Sequence, residues 1–166
     1  MTKTIKLISI ILVTHLLGCG IYSFSGSTLP AHLKTVDIPL FVNGTLQSGV
    51  AEELTAAIAK EVVTSNLLRV VTRTGDATIS GRVTNYANNP YTYGNAGARN
   101  VDVSSYAVRI SVAVEFVDNK NNEPLYKGTV SGQGIYDFAS EREEDGRTRA
   151  MHDIIQQIIQ NSVKSW

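Results

Sequence analysis

The chain has 166 residues, 43% of them apolar and 18% charged, and its 15 basic side chains balance its 15 acidic ones. That apolar content excludes a disordered tail, and the balanced charge excludes a nucleic-acid binder working by bulk charge. A lone cysteine excludes a disulfide scaffold, and the length suits one domain rather than two large ones.

At the start, Lys3 and Lys6 precede an almost unbroken apolar run from Leu7 to Leu17, with no acid among them. This is the charged and then greasy pattern of a secretory signal. The run is too short to span a bilayer, which takes ~20 apolar residues. A buried apolar element is the other reading; the charge asymmetry and the small residue before Cys19 favour processing. Leu16-Leu17-Gly18-Cys19 resembles the lipobox of bacterial lipoproteins. The resemblance implies cleavage before Cys19, a diacylglycerol on its sulfur, and a further acyl chain such as palmitate on the new amine. Several acyl chains anchor stably where one is marginal, and a consumed thiol is no oxidation liability. Gly20, not Asp, follows the cysteine. In enteric lipoproteins Asp there retains the protein at the inner membrane, so the resemblance implies the outer membrane. The domain would face the periplasm, which holds no ATP for kinase-like chemistry.

The expected organisation is a signal peptide over 1–18, a lipidated tether over 19–32 rich in Gly, Ser and Thr, and one domain over 33–166. Residues 33–42 read as a strand with Val36, Ile38 and Leu40 on one face, and Pro39 marks a sheet edge or the strand's end. Asn43-Gly44-Thr45 is a turn. Over 49–64, Val50, Leu54, Ala57, Ile58 and Val62 make a helical stripe, with Ser48 as N-cap and Glu52 and Glu53 at the positive end of the dipole. Leu67–Val71 reads as a short buried strand. After the turn Thr74-Gly75-Asp76, Ala77, Ile79, Gly81 and Val83 alternate with polar residues. Residues 87–101, with Pro90 and many Asn and Gly, read as a long loop.

The next strand is the clearest, with Tyr106, Val108, Ile110, Val112, Val114 and Phe116 on one face. Asp118–Asn122 is a polar turn, and Leu125–Gly132 returns as the hairpin partner with Tyr126 and Val130 inward. Met151, Ile154, Ile155, Ile158, Ile159 and Val163 form a last helical stripe. Ser140 and Glu143 fit a capping box at its start. Gly146 would cost ~1 kcal/mol inside a helix, which places the alternative start near Arg147.

The order β-α-β-β-β-β-α predicts an α+β two-layer sandwich. Its mixed or antiparallel sheet has four to five strands, and both helices pack on the face carrying Ile79, Val83, Val108, Ile110 and Val112. The other face is polar, with Thr78, Ser80, Arg82, Thr84, Arg109, Ser111, Lys127, Thr129 and Ser131.

The search for chemistry is negative. Beyond the signal only His32 and His152 remain. His152 and Asp153 diverge by ~100° on a helix and form no dyad. No His or Cys has metal-ligand spacing, Ser131 sits one place late for a nucleophile elbow, and phosphate loops are absent. The expectation is no enzyme, no cofactor and no metal. The acids at 141–145 read as a solvated, dipole-matched helix start rather than a cation site. Two binding candidates survive. Tyr86, Tyr91 and Tyr93 among Asn and Gly are either an interface loop or a solvent loop with local aromatic packing. Arg82, Arg109 and Lys127 project from the polar face, where scattered solvated cations are the simpler reading and phosphate contact the sharper one.

The sequence from the lipobox onward, with Val36-Asp37-Ile38-Pro39-Leu40-Phe41, Asn43-Gly44-Thr45, Glu52-Glu53-Leu54, Ile79-Ser80-Gly81-Arg82-Val83 and Tyr136-Asp137 before an amphipathic helix, resembles the LPS-assembly lipoprotein (LptE) family. The resemblance implies a non-enzymatic plug in the lumen of the outer-membrane β-barrel LptD, assisting its assembly and delivering lipopolysaccharide to the outer leaflet. Partners would be the barrel, lipopolysaccharide and the membrane through the lipid anchor, with no nucleic acid. A polar small-residue sheet face suits a water-filled barrel interior. The opening strand and helix also resemble curli-secretion and synthase-activator lipoproteins, whose members act as secretion-pore subunits or enzyme activators.

Overall fold

The computed structural model describes residues 29–93 and 103–164. The signal segment 1–18, Cys19 and most of the tether lie outside the described residues, as does the side chain of Tyr93. The elements are β1 (Thr35–Asp37), β2 (Val42–Asn43), α1 (Val50–Thr64), β3 (Arg69–Val71), β4 (Ala77–Tyr93), β5 (Val103–Asp118), β6 (Glu123–Asp137) and α2 (Glu143–Lys164).

One mixed sheet runs in the order β3-β1-β4-β5-β6, with β2 also paired to β4. β4, β5 and β6 form an antiparallel meander. β1 lies parallel to both β3 and β4, so it is central rather than at an edge. A parallel pair needs a crossover, and α1 supplies it between β1 and β3. Both helices cover one face, so the architecture is the expected α+β two-layer sandwich.

The core follows from the two periodicities. Alternate residues Val108, Ile110, Val112, Val114 and Phe116 of β5 are buried, in one core cluster with Leu54 and Ile58 of α1 and Ile154 and Ile158 of α2. Each large side chain so removed from water stabilises the fold by ~1.5–3 kcal/mol.

Several expected boundaries shift. The single strand over 33–42 is two short ones, because Pro39 cannot donate to the ladder and the chain leaves it between Asp37 and Val42. Leu40 therefore does not share the buried face of Val36; it is 62% exposed. The α1 N-cap is Gly49, at φ 79°, not Ser48. The strand expected over Leu67–Val71 is confined to Arg69–Val71, with Arg69 exposed. The loop expected over 87–101 is strand as far as Tyr93, held by the ladder to β5. β6 runs on past Gly132 to Asp137.

α2 begins at Glu143, not near Arg147, and carries Gly146 in its first turns. Ser140 does not cap it. Asp145 instead accepts a 2.9 Å bond from the backbone N–H of Arg142. Gly146 is there for space: a Cβ would stand 2.7 Å from the Tyr136 ring and 3.0 Å from the Gly134 carbonyl oxygen. Close seating of α2 over β6 outweighs the local helix propensity.

Candidate functional site

The sheet face opposite the helices is bare of any other described element. Its residues are set by strand alternation: Thr78, Ser80 and Arg82 from β4, Arg109, Ser111 and Glu115 from β5, Lys127, Thr129 and Ser131 from β6. An antiparallel sheet tolerates water on one face when that face is polar. All three predicted cations lie here and are exposed, but they do not converge. Arg82 is level with Ala113 and Thr129, so Lys127 lies two strands across and two residues along, about 12 Å between Cα atoms. Arg109 is about 13 Å further along β5 from that level.

Their environments differ. Lys127 Nζ is 3.1 Å from Glu115 Oε1, with side chains 71% and 41% exposed. Such an exposed pair contributes ~0–1 kcal/mol and leaves the cation available. Arg109 Nε donates to Gln133 Oε1 at 2.9 Å. Arg82 has no hydrogen bond or ion pair with any described residue. Arg82 and Lys127 flank a shallow hollow of about 450 Å³ floored by Gly81, Ala113 and Gly128 and closed on one side by Val42. A spread of donors over small residues fits an extended, multiply charged ligand better than a single ion. A second hollow, of about 480 Å³, lies apart from it between Leu33, Val63 and Leu67 near Leu29.

The tyrosines part company. The ladder from β4 to β5 slips between Val83 and Asn85, so Thr84 is an extra residue. One extra residue turns every later side chain to the opposite face. Tyr86 and Asn88 thereby reach the helix side instead of joining a loop. The Tyr86 hydroxyl donates to Glu143 Oε1 at 2.5 Å, and Asn88 Nδ2 donates to Glu143 Oε2 at 2.9 Å and to the Tyr136 hydroxyl at 3.0 Å. Burial first, and then the Glu143 carboxylate beside it, raise the Tyr86 pKa well above its usual value. Glu143 is thus not a merely solvated member of the acidic cluster. On the next turn of α2, Arg147 Nε pairs with Glu53 Oε2 of α1 at 3.1 Å. The network fastens both helices to β4 and β6.

Tyr91 stays on the surface, 46% exposed. Sequence reasoning missed the aromatic cluster near it. Tyr106 stacks on Tyr136 with centroids 5.8 Å apart and meets Phe138, itself 63% exposed, at 5.3 Å. The alternation of Tyr136 and Phe138 was the available signal.

At the other end, His32 Nε2 contacts Asp118 Oδ2 at 2.7 Å and ties the start of the described chain to the β5–β6 turn. Burial pushes the Asp118 carboxyl up, but the N–H groups of Asn121 and Lys120 and the His32 ring outweigh it, and the net shift is downward. Among the described residues no group of His, Cys, Asp or Glu could hold a metal ion. No described helix is long and apolar enough to cross a membrane.

Over residues 33–162 the chain matches the family model LptE, described as lipopolysaccharide-assembly. The chain belongs to the LptE family. No curated protein matches it. Among solved structures, protein XCC0632 from Xanthomonas campestris is similar at TM-score 0.56 and 8% identity, over 80% of this chain and 85% of that one. The hypothetical protein CT253 from Chlamydia trachomatis is similar at TM-score 0.53 and 9% identity, over 78% of this chain and 98% of that one. At these identities the likeness is one of fold. LptE proteins are non-enzymatic components of lipopolysaccharide assembly.

Proposed function

We propose that this LptE-family protein is an outer-membrane lipoprotein, anchored through acylated Cys19, that plugs an LptD-like β-barrel and helps pass lipopolysaccharide to the cell surface. The observation that carries the reading is the helix-free sheet face with its three separated, exposed cations, in a chain of a lipopolysaccharide-assembly family. A polar face of short side chains can lie against a hydrated barrel wall without apolar burial. Arg82, Arg109 and Lys127 would meet phosphates of the glycolipid, each at its own level of the sheet. Tyr91 would lend aromatic contact area near the rim, and Tyr93 follows it in the chain.

A tagged, full-length chain purified from its own envelope tests this. Recovery of a large β-barrel is expected; recovery of a multimeric secretion pore or a peptidoglycan synthase would replace the reading with the secretion or activator one. Cys19→Ala should move the protein out of the membrane fraction when the barrel is depleted. The triple change Arg82→Gln, Arg109→Gln, Lys127→Gln should weaken lipopolysaccharide binding in vitro, and unchanged binding would remove these residues from the site.

A further inference from the structure

We infer that β6 is a docking edge for an extended segment of the partner barrel, joined through backbone hydrogen bonds between Lys127 and Gln133. The inference rests on the barrel partnership proposed above.

Strand alternation locates the free groups. Phe138 N–H donates across to the Ser104 carbonyl at 3.2 Å, which makes 138 and 104 a hydrogen-bonded pair. In an antiparallel ladder such pairs alternate with pairs whose N–H and C=O groups point away. The even residues of β6 therefore bond to β5, and Lys127, Thr129, Ser131, Gln133, Ile135 and Asp137 turn their backbone groups outward. Four outward groups have partners that agree with this phase, one of them the Asp137 carbonyl, which accepts from the Glu141 N–H at 2.8 Å. Gln157 Nε2 donates to the Ser131 carbonyl at 2.7 Å, Arg149 Nη1 to the Ile135 carbonyl at 2.5 Å, and Asp137 N–H donates to Glu141 Oε2 at 2.9 Å. Among the described residues nothing bonds to the N–H or C=O of Lys127, Thr129 or Gln133, nor to the Ser131 N–H.

The other free strand flanks are poorer templates: β3, at the opposite edge, is only three residues long. β4 beyond β2 is also unpaired on its outer flank, but register slips at Thr84 and Tyr91 and the proline at 90 spoil it as a template. From Tyr126 to Asp137, β6 keeps an unbroken register with β5 and contains no proline. Seven residues in phase, about 23 Å long, suffice for a strand to add.

The occupant follows from what sits above the edge. α2 lies directly over β6: a Cβ on Gly134 would stand 2.8 Å from Arg149 Cβ. A second copy joined antiparallel through β6 would bring a second α2 over the adjoining strand, about 4.8 Å away, where helices need ~8–10 Å. An extended segment without a helix on that face meets no such clash. Its side chains would alternate between α2 and the hydrated face of Lys127, Thr129 and Ser131.

Thr129→Pro removes one outward N–H and leaves the β5–β6 ladder intact, since proline is tolerated at an edge. Tagged full-length wild type and variant are purified from envelopes, and the barrel recovered is quantified beside the variant's melting curve. Wild-type melting with about tenfold lower barrel recovery is expected. Wild-type recovery by a folded Thr129→Pro would overturn the edge while leaving the plug reading standing. Absence of the barrel from the wild-type preparation would instead overturn that reading and the edge with it. Hydrogen exchange over 126–134 decides independently of the variant's folding. In the complex the amides of Lys127, Thr129, Ser131 and Gln133 should slow at least tenfold, and rates equal to those of the free protein would refute the docking.

Discussion

Gly134→Ala tests how α2 is seated. A methyl there would stand 2.8 Å from both Arg149 Cβ and the Gly146 carbonyl carbon, and closer still to the Gly146 oxygen, whereas ordinary contact begins at 3.4 Å. The first turns of α2 must therefore lift by about 0.6 Å or more. Lifting draws Ala150, Met151 and Ile154, all buried, away from β5 and β6. A gap of ~0.5–1 Å forfeits a quarter to a half of each dispersion contact. Overpacking of this sort costs ~1–3 kcal/mol, and relief of glycine's entropy returns ~0.5–1 kcal/mol. A net loss of about 1 kcal/mol should lower Tm by ~3–5 °C in a domain of this size. Circular dichroism melts of the variant beside Thr129→Ala, a bare-face control that should move Tm by no more than ~1 °C, make the comparison. A Gly134→Ala melt that overlays the wild type would refute the close-seating argument and the account of Gly146 with it.

Tyr86→Phe should cost about 1–2 kcal/mol, because the lost hydrogen bond is to a carboxylate but the site is only half-buried; an unchanged urea midpoint would show that Glu143 does not hold α2 to the sheet. Acid should destabilise the domain in a defined window. The Arg149 guanidinium, helped by the Asp137 N–H, holds Glu141 at about 2 against an ordinary 4.5, and Asp76 and Asp118 are also depressed. A depressed carboxylate stabilises the fold above its unfolded pKa and loses that contribution as pH falls towards the folded one. The Tm difference between wild type and Glu141→Gln should thus be constant above pH ~5 and vanish towards pH ~2; a difference independent of pH would contradict the Arg149 pairing. Lipopolysaccharide binding should weaken with added salt, since the Debye length is ~8 Å at physiological ionic strength and the three cations are exposed. The Arg82, Arg109, Lys127 triple variant should show a flatter salt dependence, and equal slopes would mean that other groups meet the phosphates.

The layers and faces of the fold were legible because each rests on a period. Alternation in Val108 to Phe116 and the stripe through Ile154 and Ile158 fix which side of each element is buried, and all of these residues are. What escaped depends on events that leave no periodic mark. Thr84 is an ordinary residue, yet as the extra one in a bulge it sends Tyr86 and Asn88 to the helix side and creates the Glu143 network. Asn88, Asn89 and Pro90 have poor strand propensity, and the ladder to β5 overrides it. Gly146 argued against a helix on local grounds, and only the approach of Gly134 from a distant strand explains it. The cations of the candidate site were placed on the right face by alternation alone. Their separation was not legible, because it depends on the register between β4, β5 and β6.

The division of labour between the two faces bears on how such a domain can bind. Most of its large apolar side chains are packed between sheet and helices, although Leu40, Leu46 and Phe138 are left exposed. The bare face offers hydroxyls, one weak ion pair and scattered cations, and burying it against protein would release little hydrophobic free energy. Association through this face must draw on charge and hydrogen bonds. Hydrogen bonds to a strand edge do not disturb the core, and phosphate contacts on the face do not compete with them, because backbone groups lie in the sheet plane while the side chains of Arg82, Arg109 and Lys127 stand out of it. One sheet can thus offer its β6 edge to an extended segment and its face to a charged ligand at the same time, neither contact blocking the other.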